Sequence, residues 1–261
     1  MVVGKADVHI GSMKVPYYLD APTEANPTGP LTGFWKGAND AAVTQLNLQP
    51  VKTQDVTVPV IITVPSAVSK AGATPPAEGW PVIIFQHGVT ANRSSTLAIA
   101  NAYADAGFMV IGIDMVLHGI TDTSHPLHAD NSPFAEDKEP SMGLDFVDNT
   151  TLAAGPDEKP DDSGTHFINL SSLLTSRDNI RQSVANLFVL RKSLANMVSA
   201  SGGEAIPVDE NIVRFSGHSL GGMVGTNYLA FDDTVGAASF FMPGGGIAQL
   251  LNGSESFGPK I

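Results

Sequence analysis

Residues 212–222 read Ile-Val-Arg-Phe-Ser-Gly-His-Ser-Leu-Gly-Gly, a pattern typical of a strand that turns sharply into a helix. Its first residues predict a strand, and a helix-forming run over residues 220–229 begins where that strand ends. Between them Gly217-His218-Ser219-Leu220-Gly221 matches G-x-S-x-G in a strand–turn–helix context. A sharp turn presents the Ser219 hydroxyl above the sheet, and the two flanking glycines leave room where strand and helix cross. The sequence therefore predicts Ser219 as a nucleophile, with a helix N-terminus behind it that favours developing negative charge.

Short apolar strands alternate with helices on both sides of this turn. In the longest predicted helix, apolar residues recur at three- and four-residue steps from Ile180 to Leu194. Strands are predicted at residues 81–86, 108–113, 211–215 and 237–242, and helices at 94–106, 177–197 and 220–229. Apolar strands that alternate with helices indicate an α/β fold, in which helices cover both faces of a mostly parallel sheet.

The N-terminal part of the chain has a different pattern. Strand-like segments at residues 6–10 and 14–19 flank Gly11-Ser12, which predicts a hairpin. Residues 54–64 form a β-branched run, and Pro59 within it predicts an edge strand or a bulge. We therefore divide the chain into a hairpin and loop extension, residues 1–53, and a core, residues 54–261.

Composition excludes several classes of function. The chain has 261 residues, and its 26 acidic and 14 basic residues give a net charge of −12. Such a charge argues against non-specific binding to nucleic acid or anionic lipid. Cysteine is absent, which excludes disulfides, thiolate catalysis and cysteine metal sites. The longest apolar run spans about six residues, so no transmembrane segment is predicted. We expect no cofactor and no metal ion.

Residues 121–164 form a long acidic excursion with no helical or strand period. Loops of this length are usually lids or binding loops, and Met142, Leu144, Phe146 and Val147 would suit the underside of a lid. A solvated insertion without such a role is the alternative. Carboxylate oxygens can bind calcium, and three carboxylates of the excursion are candidates for such a site: Asp157, Asp161 and Asp162. We interpret them instead as side chains of a solvated acidic loop.

A second loop follows an earlier strand, in Phe85-Gln86-His87-Gly88-Val89-Thr90. An acyl-transfer enzyme needs two backbone N–H donors for the oxyanion, one from the residue after the nucleophile and one from such a loop. These positions predict the amides of Leu220 and Val89. We interpret His87 as a structural hydrogen-bonding residue and His218 as a space-filling residue beside the nucleophile.

Together these motifs resemble the bacterial extracellular lipases of the virulence-factor type. These are α/β-hydrolases that include outer-membrane lysophospholipases. The resemblance also rests on residues 80–88, 163–170, 174–179 and 242–246, and it covers the chain from about residue 50 to its end. It implies a secreted or cell-surface ester hydrolase with a Ser-Asp-His triad. His166 and Phe167 would then line the acyl site or anchor the base of the lid.

The chain departs from this family in one respect. In α/β-hydrolases the triad acid and then the histidine follow the serine in sequence. No histidine follows Ser219 here, and the acids after it are Asp232, Asp233 and Glu255. We expect the last strand–helix units, with the acid and the histidine, to come from a region C-terminal to residue 261, as a fragment that accompanies this chain. Asp114 and His118 follow an earlier strand, so we predict that His118 ties down its own loop.

These observations predict a carboxylic ester hydrolase, an esterase or lipase, that forms an acyl-enzyme on Ser219 and acts on a small-molecule or lipid ester. Thioesterase or acyltransferase use of the same site is a variant of this hypothesis. The alternative from another class is a non-catalytic binding module with the same fold. The intact Ser219, Gly88 and Gly221 favour the enzyme, because a binding module has no need of an outward-facing hydroxyl on a strained turn.

Overall fold

The computed structural model describes residues 4–246, 249 and 252–255. The remaining residues of the predicted extension and core lie outside the described ones. The strands are β1 (Ala6–Tyr17), β2 (Gln54–Pro65), β3 (Trp80–Gln86), β4 (Met109–Ile113), β5 (Val208–His218) and β6 (Ala237–Phe241). The helices are α1 (Gly29–Thr32), α2 (Leu97–Asp105), α3 (Leu173–Ser193) and α4 (Leu220–Leu229), and 3₁₀ turns precede α2 and follow α3.

These six strands form one mixed sheet in the order β1-β2-β4-β3-β5-β6. The four strands β4, β3, β5 and β6 are parallel, and β2 runs antiparallel to both of its neighbours, β4 and β1. The predicted α/β architecture is therefore confirmed. Parallel pairing follows from the helical crossovers between these strands, which are apolar over most of their length.

The strand order reverses direction at the centre of the sheet. From β3 the chain moves to β4 on one side, and it then returns past β3 to β5 on the other. In such sheets ligands bind outside the carboxyl ends of the strands at this reversal. The loop after β3 and the turn after β5 both emerge there, so Gly88 and Ser219 lie side by side.

Helices cover both faces of the sheet. On one face Ile83, Phe85 and Val110 pack against Ile99 and Tyr103 of α2. On the other face the larger core receives Leu187 and Leu190 of α3 and Val224 and Tyr228 of α4, together with alternate side chains of the strands. This alternation follows from the two-residue period of a strand.

The predicted N-terminal hairpin is wrong. Residues 6–17 form one continuous strand that pairs along its whole length with β2, from Ala6 opposite Pro65 to Tyr17 opposite Gln54. Gly11 and Ser12 stay extended within it, because a neighbouring strand offers twelve residues of continuous pairing where a local turn would offer five. The boundary at residue 53 therefore separates no structural unit, since β1 belongs to the main sheet.

The interpretation of Pro59 as a sign of an edge strand is also wrong, because β2 lies between β1 and β4. The four residues that pair with β4 are Val60–Thr63. Pro59 lies just before them, so its missing N–H removes no bond from the ladder with β4.

Helix α3 buries a polar face in its first half, where the apolar spacing predicted an apolar one. Asp178, Asn179 and Gln182 are fully buried, whereas Ile180 and Val184 are only half-buried. Asp178 accepts a hydrogen bond from the Trp35 backbone at 2.8 Å, and Gln182 bonds to the backbone near Tyr18. The polar face thereby holds the irregular segment after β1 against the helix.

The acidic excursion is ordered by buried polar groups. Asp137, Glu139 and Ser141 are all at least nine-tenths buried. Asp137 accepts hydrogen bonds from the hydroxyls of Ser12 and Ser132 at 2.6 and 2.7 Å, which ties the excursion to β1. Of the four apolar residues predicted for the underside of a lid, Leu144 is buried and Met142 packs against the main core.

The last described strand leaves apolar surface uncovered. All five residues of β6 are exposed; its last residue, Phe241, is 47% exposed, and Met242, which follows the strand, is 76% exposed. None of the helices built from the described residues is long and apolar enough to cross a membrane.

Candidate active site

Ser219 occupies a strained turn between β5 and α4. Its backbone has φ 50° and ψ −117°, a conformation that a residue with a Cβ rarely adopts and that costs on the order of 1–3 kcal/mol. The flanking Gly217 makes the turn possible, because a Cβ there would stand 2.7 Å from the Gly221 carbonyl oxygen. Strain of this kind persists only where the surroundings hold it, and the contacts of the two flanking glycines hold it here.

The turn crosses the loop that follows β3. A Cβ on Gly88 would stand 3.1 Å from the Cβ of Ser219 and 3.0 Å from Nδ1 of His218. A Cβ on Gly221 would overlap the carbonyl oxygens of Gln86 and His87. Small residues on both segments thus bring the backbone of the loop against Ser219. His218 packs against Gly88 beside Ser219.

Two backbone amides beside Ser219 have no internal acceptor. Leu220 is the first residue of α4, so its N–H has no partner within the helix. In the part of the chain that the structure describes, neither this N–H nor that of Val89 donates a hydrogen bond. Both are therefore available to a ligand, at the carboxyl edge of the sheet where the helix dipole adds positive potential.

His87 is buried, and both of its ring nitrogens have partners. Nδ1–H donates to the Gly88 carbonyl at 2.8 Å, and Nε2 accepts from the Met115 amide at 3.2 Å. Burial lowers the pKa of His87 to about 4, and the cation of Arg93 acts in the same direction. The ring is neutral at pH 7 and holds its loop in place.

His118 is likewise a buried neutral ring. Its Nδ1–H donates to the Val116 carbonyl at 2.9 Å. Burial lowers its pKa to about 3, and the neighbouring His87 ring contributes in the same direction. Nε2 is buried against Gly164 with no hydrogen-bond partner among the described residues. His118 therefore fixes the bend after β4 and is a poor base.

The strained serine after β5, the loop after β3 and the strand order together decide the fold. The chain has an α/β-hydrolase fold. The family model described as platelet-activating factor acetylhydrolase, isoform II, matches residues 39–124, about a third of the chain. That match includes Gly88 and Val89 and ends before Ser219. No curated protein matches the chain with significance.

Solved structures of hydrolases resemble the chain at low identity. A ferulic acid esterase from Streptomyces cinnamoneus is 13% identical with a TM-score of 0.43, and the match covers 87% of this chain and 56% of that one. An acetyl xylan esterase from Paenibacillus sp. R4 is 13% identical with a TM-score of 0.39, and the match covers 91% of this chain and 53% of that one. A protein named as a dienelactone hydrolase from Klebsiella pneumoniae is 12% identical with a TM-score of 0.38, and the match covers 88% of this chain and 58% of that one. The chain thus spans little more than half the length of these proteins.

The acidic residues considered for calcium have other partners. Asp161 accepts hydrogen bonds from the amides of Phe146 and Val147 and lies 2.6 Å from Nε2 of His166. Asp157 accepts from the Asn149 amide at 3.1 Å. Within the described ranges no group of three or more histidine or acidic side chains is arranged to hold a metal ion. These carboxylates organise the excursion from inside.

Sequence reasoning missed Arg93, which is 2% exposed and pairs with Asp114 and Glu139. A signal for it exists, because Arg93 is the only lysine, arginine or acidic residue between Glu78 and Asp105. Where the fold buries such a lone charge, the charge needs a buried partner.

The two buried histidines predict that stability falls in acid. Unfolded histidine takes up its proton near pH 6.5, whereas folded His87 and His118 do so only near pH 4 and 3. Their contribution is therefore complete above pH 6.5 and is lost as the pH falls through this window, by up to about 1.4 kcal/mol per pH unit for each ring. The urea concentration at the midpoint of unfolding should therefore decrease as the pH is lowered from 6.5 to 4.

The variant His118→Gln should reduce that slope by about half, because one of the two rings no longer titrates. His9→Gln is the matched control, since His9 is exposed on β1 and should leave the slope unchanged. A midpoint that stays constant from pH 7 to 4.5 in the unsubstituted protein would contradict the assignment of both rings as neutral in the fold.

Proposed function

We propose that this protein is a serine hydrolase of carboxylic esters, with Ser219 as its nucleophile. The observation that carries the proposal is the half-buried Ser219 at φ 50°, near two backbone amides that donate to no acceptor among the described residues. This arrangement suits a carbonyl carbon above the hydroxyl, with its oxygen between the amides of Val89 and Leu220. The acetylhydrolase family model and the esterases among similar structures agree with a hydrolase of this kind.

The reaction then has two halves. The Ser219 oxygen bonds to the ester carbon while its proton passes to a histidine, and the Val89 and Leu220 amides hold the resulting oxyanion. The carbon–oxygen bond to the alcohol breaks, the histidine returns the proton to the alcohol, and an acyl-enzyme remains. Water then attacks the acyl carbon by the same route, which releases the carboxylic acid and restores the serine hydroxyl.

We assign the histidine and its acid to a region C-terminal to residue 261. Within the described residues no side chain forms a hydrogen bond with the Ser219 hydroxyl. The hydrogen bonds of His87 and His118 hold loops in place, and both rings are too weakly basic for the role. The exposed strand β6 offers a pairing edge to further chain, whether continuous with this one or a separate fragment.

The resemblance of the sequence to extracellular lipases of the virulence-factor type extends the proposal to location and substrate class. We place the protein at the bacterial cell surface or outside the cell, where it hydrolyses a lipid or small-molecule ester. The name acetylhydrolase in the matching family model is consistent with an acyl ester as the substrate.

A fluorophosphonate probe tests the proposal. The protein that carries this chain should be labelled on the peptide containing Ser219, and an ester substrate should slow the labelling. Intact mass before and after labelling shows whether a C-terminal fragment accompanies the chain. A folded protein that is neither labelled nor active on p-nitrophenyl acetate and butyrate would favour the non-catalytic binding module.

A further inference from the structure

The loop of residues 88–92 carries the Val89 amide, and side chains fasten it at both ends and in the middle. His87 holds its start, through the bonds described above. In the middle, the hydroxyl of Ser163 donates to the Ala91 carbonyl at 2.6 Å. Ser163 belongs to the acidic excursion, so the excursion reaches the loop directly.

Arg93 holds the other end of the loop. Its backbone N–H donates to Asp114 Oδ1 at 2.6 Å, and its guanidinium donates to Asp114 Oδ2. The same guanidinium binds both carboxylate oxygens of Glu139, at 2.8 and 2.7 Å. The guanidinium therefore lies between a carboxylate at the end of β4 and a carboxylate in the excursion, and all three groups are buried.

Glu139 is itself held in place. Its carboxylate also accepts hydrogen bonds from the Ile120 amide at 3.0 Å and the Ala129 amide at 2.8 Å. Four donors thus converge on one carboxylate that is 9% exposed. Bidentate pairs between arginine and carboxylate fix orientation as well as distance, so Glu139 fixes the Arg93 guanidinium together with Asp114 and the Leu127 carbonyl.

We propose that Glu139 is a positioning residue for the oxyanion donor, acting through Arg93 on the loop of residues 88–92. The acidic excursion then serves as a fixed brace for this loop, through Glu139 and Ser163. This inference rests on the proposed function, because it concerns the Val89 amide as a donor to the oxyanion. A donor that is misplaced by about 1 Å lowers the rate of the chemical step more than it weakens substrate binding.

The variant Glu139→Gln tests the inference. An amide in place of the carboxylate turns an N–H group toward donors that need an acceptor, so the bidentate contact with Arg93 is lost. We expect kcat for p-nitrophenyl butyrate to fall by about 10- to 100-fold, since a catalytic donor is displaced and not removed. KM should stay within about threefold, because a donor to the oxyanion acts on the transition state more than on the bound substrate.

Asp137→Asn is the matched control in the same excursion. Asp137 is as buried as Glu139 but contacts the hydroxyls of Ser12 and Ser132, away from the loop. Asp137→Asn should lower the thermal midpoint by about as much as Glu139→Gln does. It should leave kcat within about threefold of the unsubstituted protein, as expected for a site with no link to the Val89 amide. Amide exchange of the peptide containing residues 88–92, followed by mass spectrometry, should accelerate in Glu139→Gln and not in Asp137→Asn.

Ser163→Ala provides a milder variant if Glu139→Gln does not fold. It removes one hydrogen bond to the loop, and the same local rise in amide exchange is expected with a fall in kcat of about 3- to 10-fold. Equal exchange of the loop in the positioning and control variants would overturn the inference, as would a rise in KM at unchanged kcat. An unsubstituted protein without esterase activity would refute the proposed function alone, because the exchange comparison still decides whether Glu139 orders the loop.

Discussion

Replacing Ser219 by alanine is expected to lower kcat for ester hydrolysis by about 10⁵- to 10⁶-fold, as occurs when the nucleophile of a triad is lost. The fold should survive, because alanine keeps the Cβ and therefore the same backbone strain at φ 50°. The measurement is hydrolysis of p-nitrophenyl butyrate alongside the thermal midpoint. More than a tenth of the original activity in the folded variant would contradict the assignment.

Ser216→Ala is the matched control three residues earlier on β5. The Ser216 hydroxyl is fully buried and has no hydrogen-bond partner among the described residues. Removing an unsatisfied buried hydroxyl is nearly neutral or stabilising, so activity should stay within about twofold. A similar loss of activity in both variants would indicate that damage to β5, and not loss of a nucleophile, explains the effect.

The turn at Ser219 could be predicted from the sequence because its requirements are local. The end of a strand, two glycines around a serine and the start of a helix lie within eleven consecutive residues, and each local preference agrees with the fold. The helix predicted at residues 220–229 has those bounds in the structure, and β4 differs from its prediction by one residue.

Pairing of β1 could not be predicted in the same way. Gly11 and Ser12 favour a turn locally, and the partner that keeps them extended begins only at Gln54. Strand propensity depends on neighbouring strands more than helix propensity depends on neighbouring helices. A one-residue slip would also turn every side chain of β1 to the opposite face of the sheet, so the buried residues Met13 and Val15 fix the register.

The buried polar contacts were also beyond the sequence. Glu139 lies 46 residues from Arg93, and Asp178 lies 143 residues from the backbone amide of Trp35 that it binds. Apolar periodicity predicts which face of a helix packs against other apolar residues. It gives no signal for a polar face that is buried against backbone groups. The isolated Arg93 predicts that some carboxylate is buried with it, without indicating which one.

The substitution Gly221→Ala has two effects of opposite sign on stability, and their magnitudes decide the outcome. Alanine in a helix is favoured over glycine by about 1 kcal/mol, so propensity alone predicts a gain in stability. The new methyl group would instead overlap the carbonyl oxygens of Gln86 and His87, which are backbone atoms that cannot turn away. Overpacking of this kind costs about 3 kcal/mol, so we expect a net loss of about 2 kcal/mol and a thermal midpoint lower by about 4–8 °C.

The same overlap should separate the loop of residues 88–92 from the turn at Ser219, with a fall in kcat of about 100-fold or more. Gly202→Ala is the control, because a Cβ there meets no atom closer than 3.7 Å. It should change neither kcat nor the thermal midpoint appreciably. If Gly221→Ala instead raises the midpoint and keeps full activity, the two segments do not cross as closely as the geometry requires. The Val89 amide would then lie too far from Ser219 to serve as the second donor.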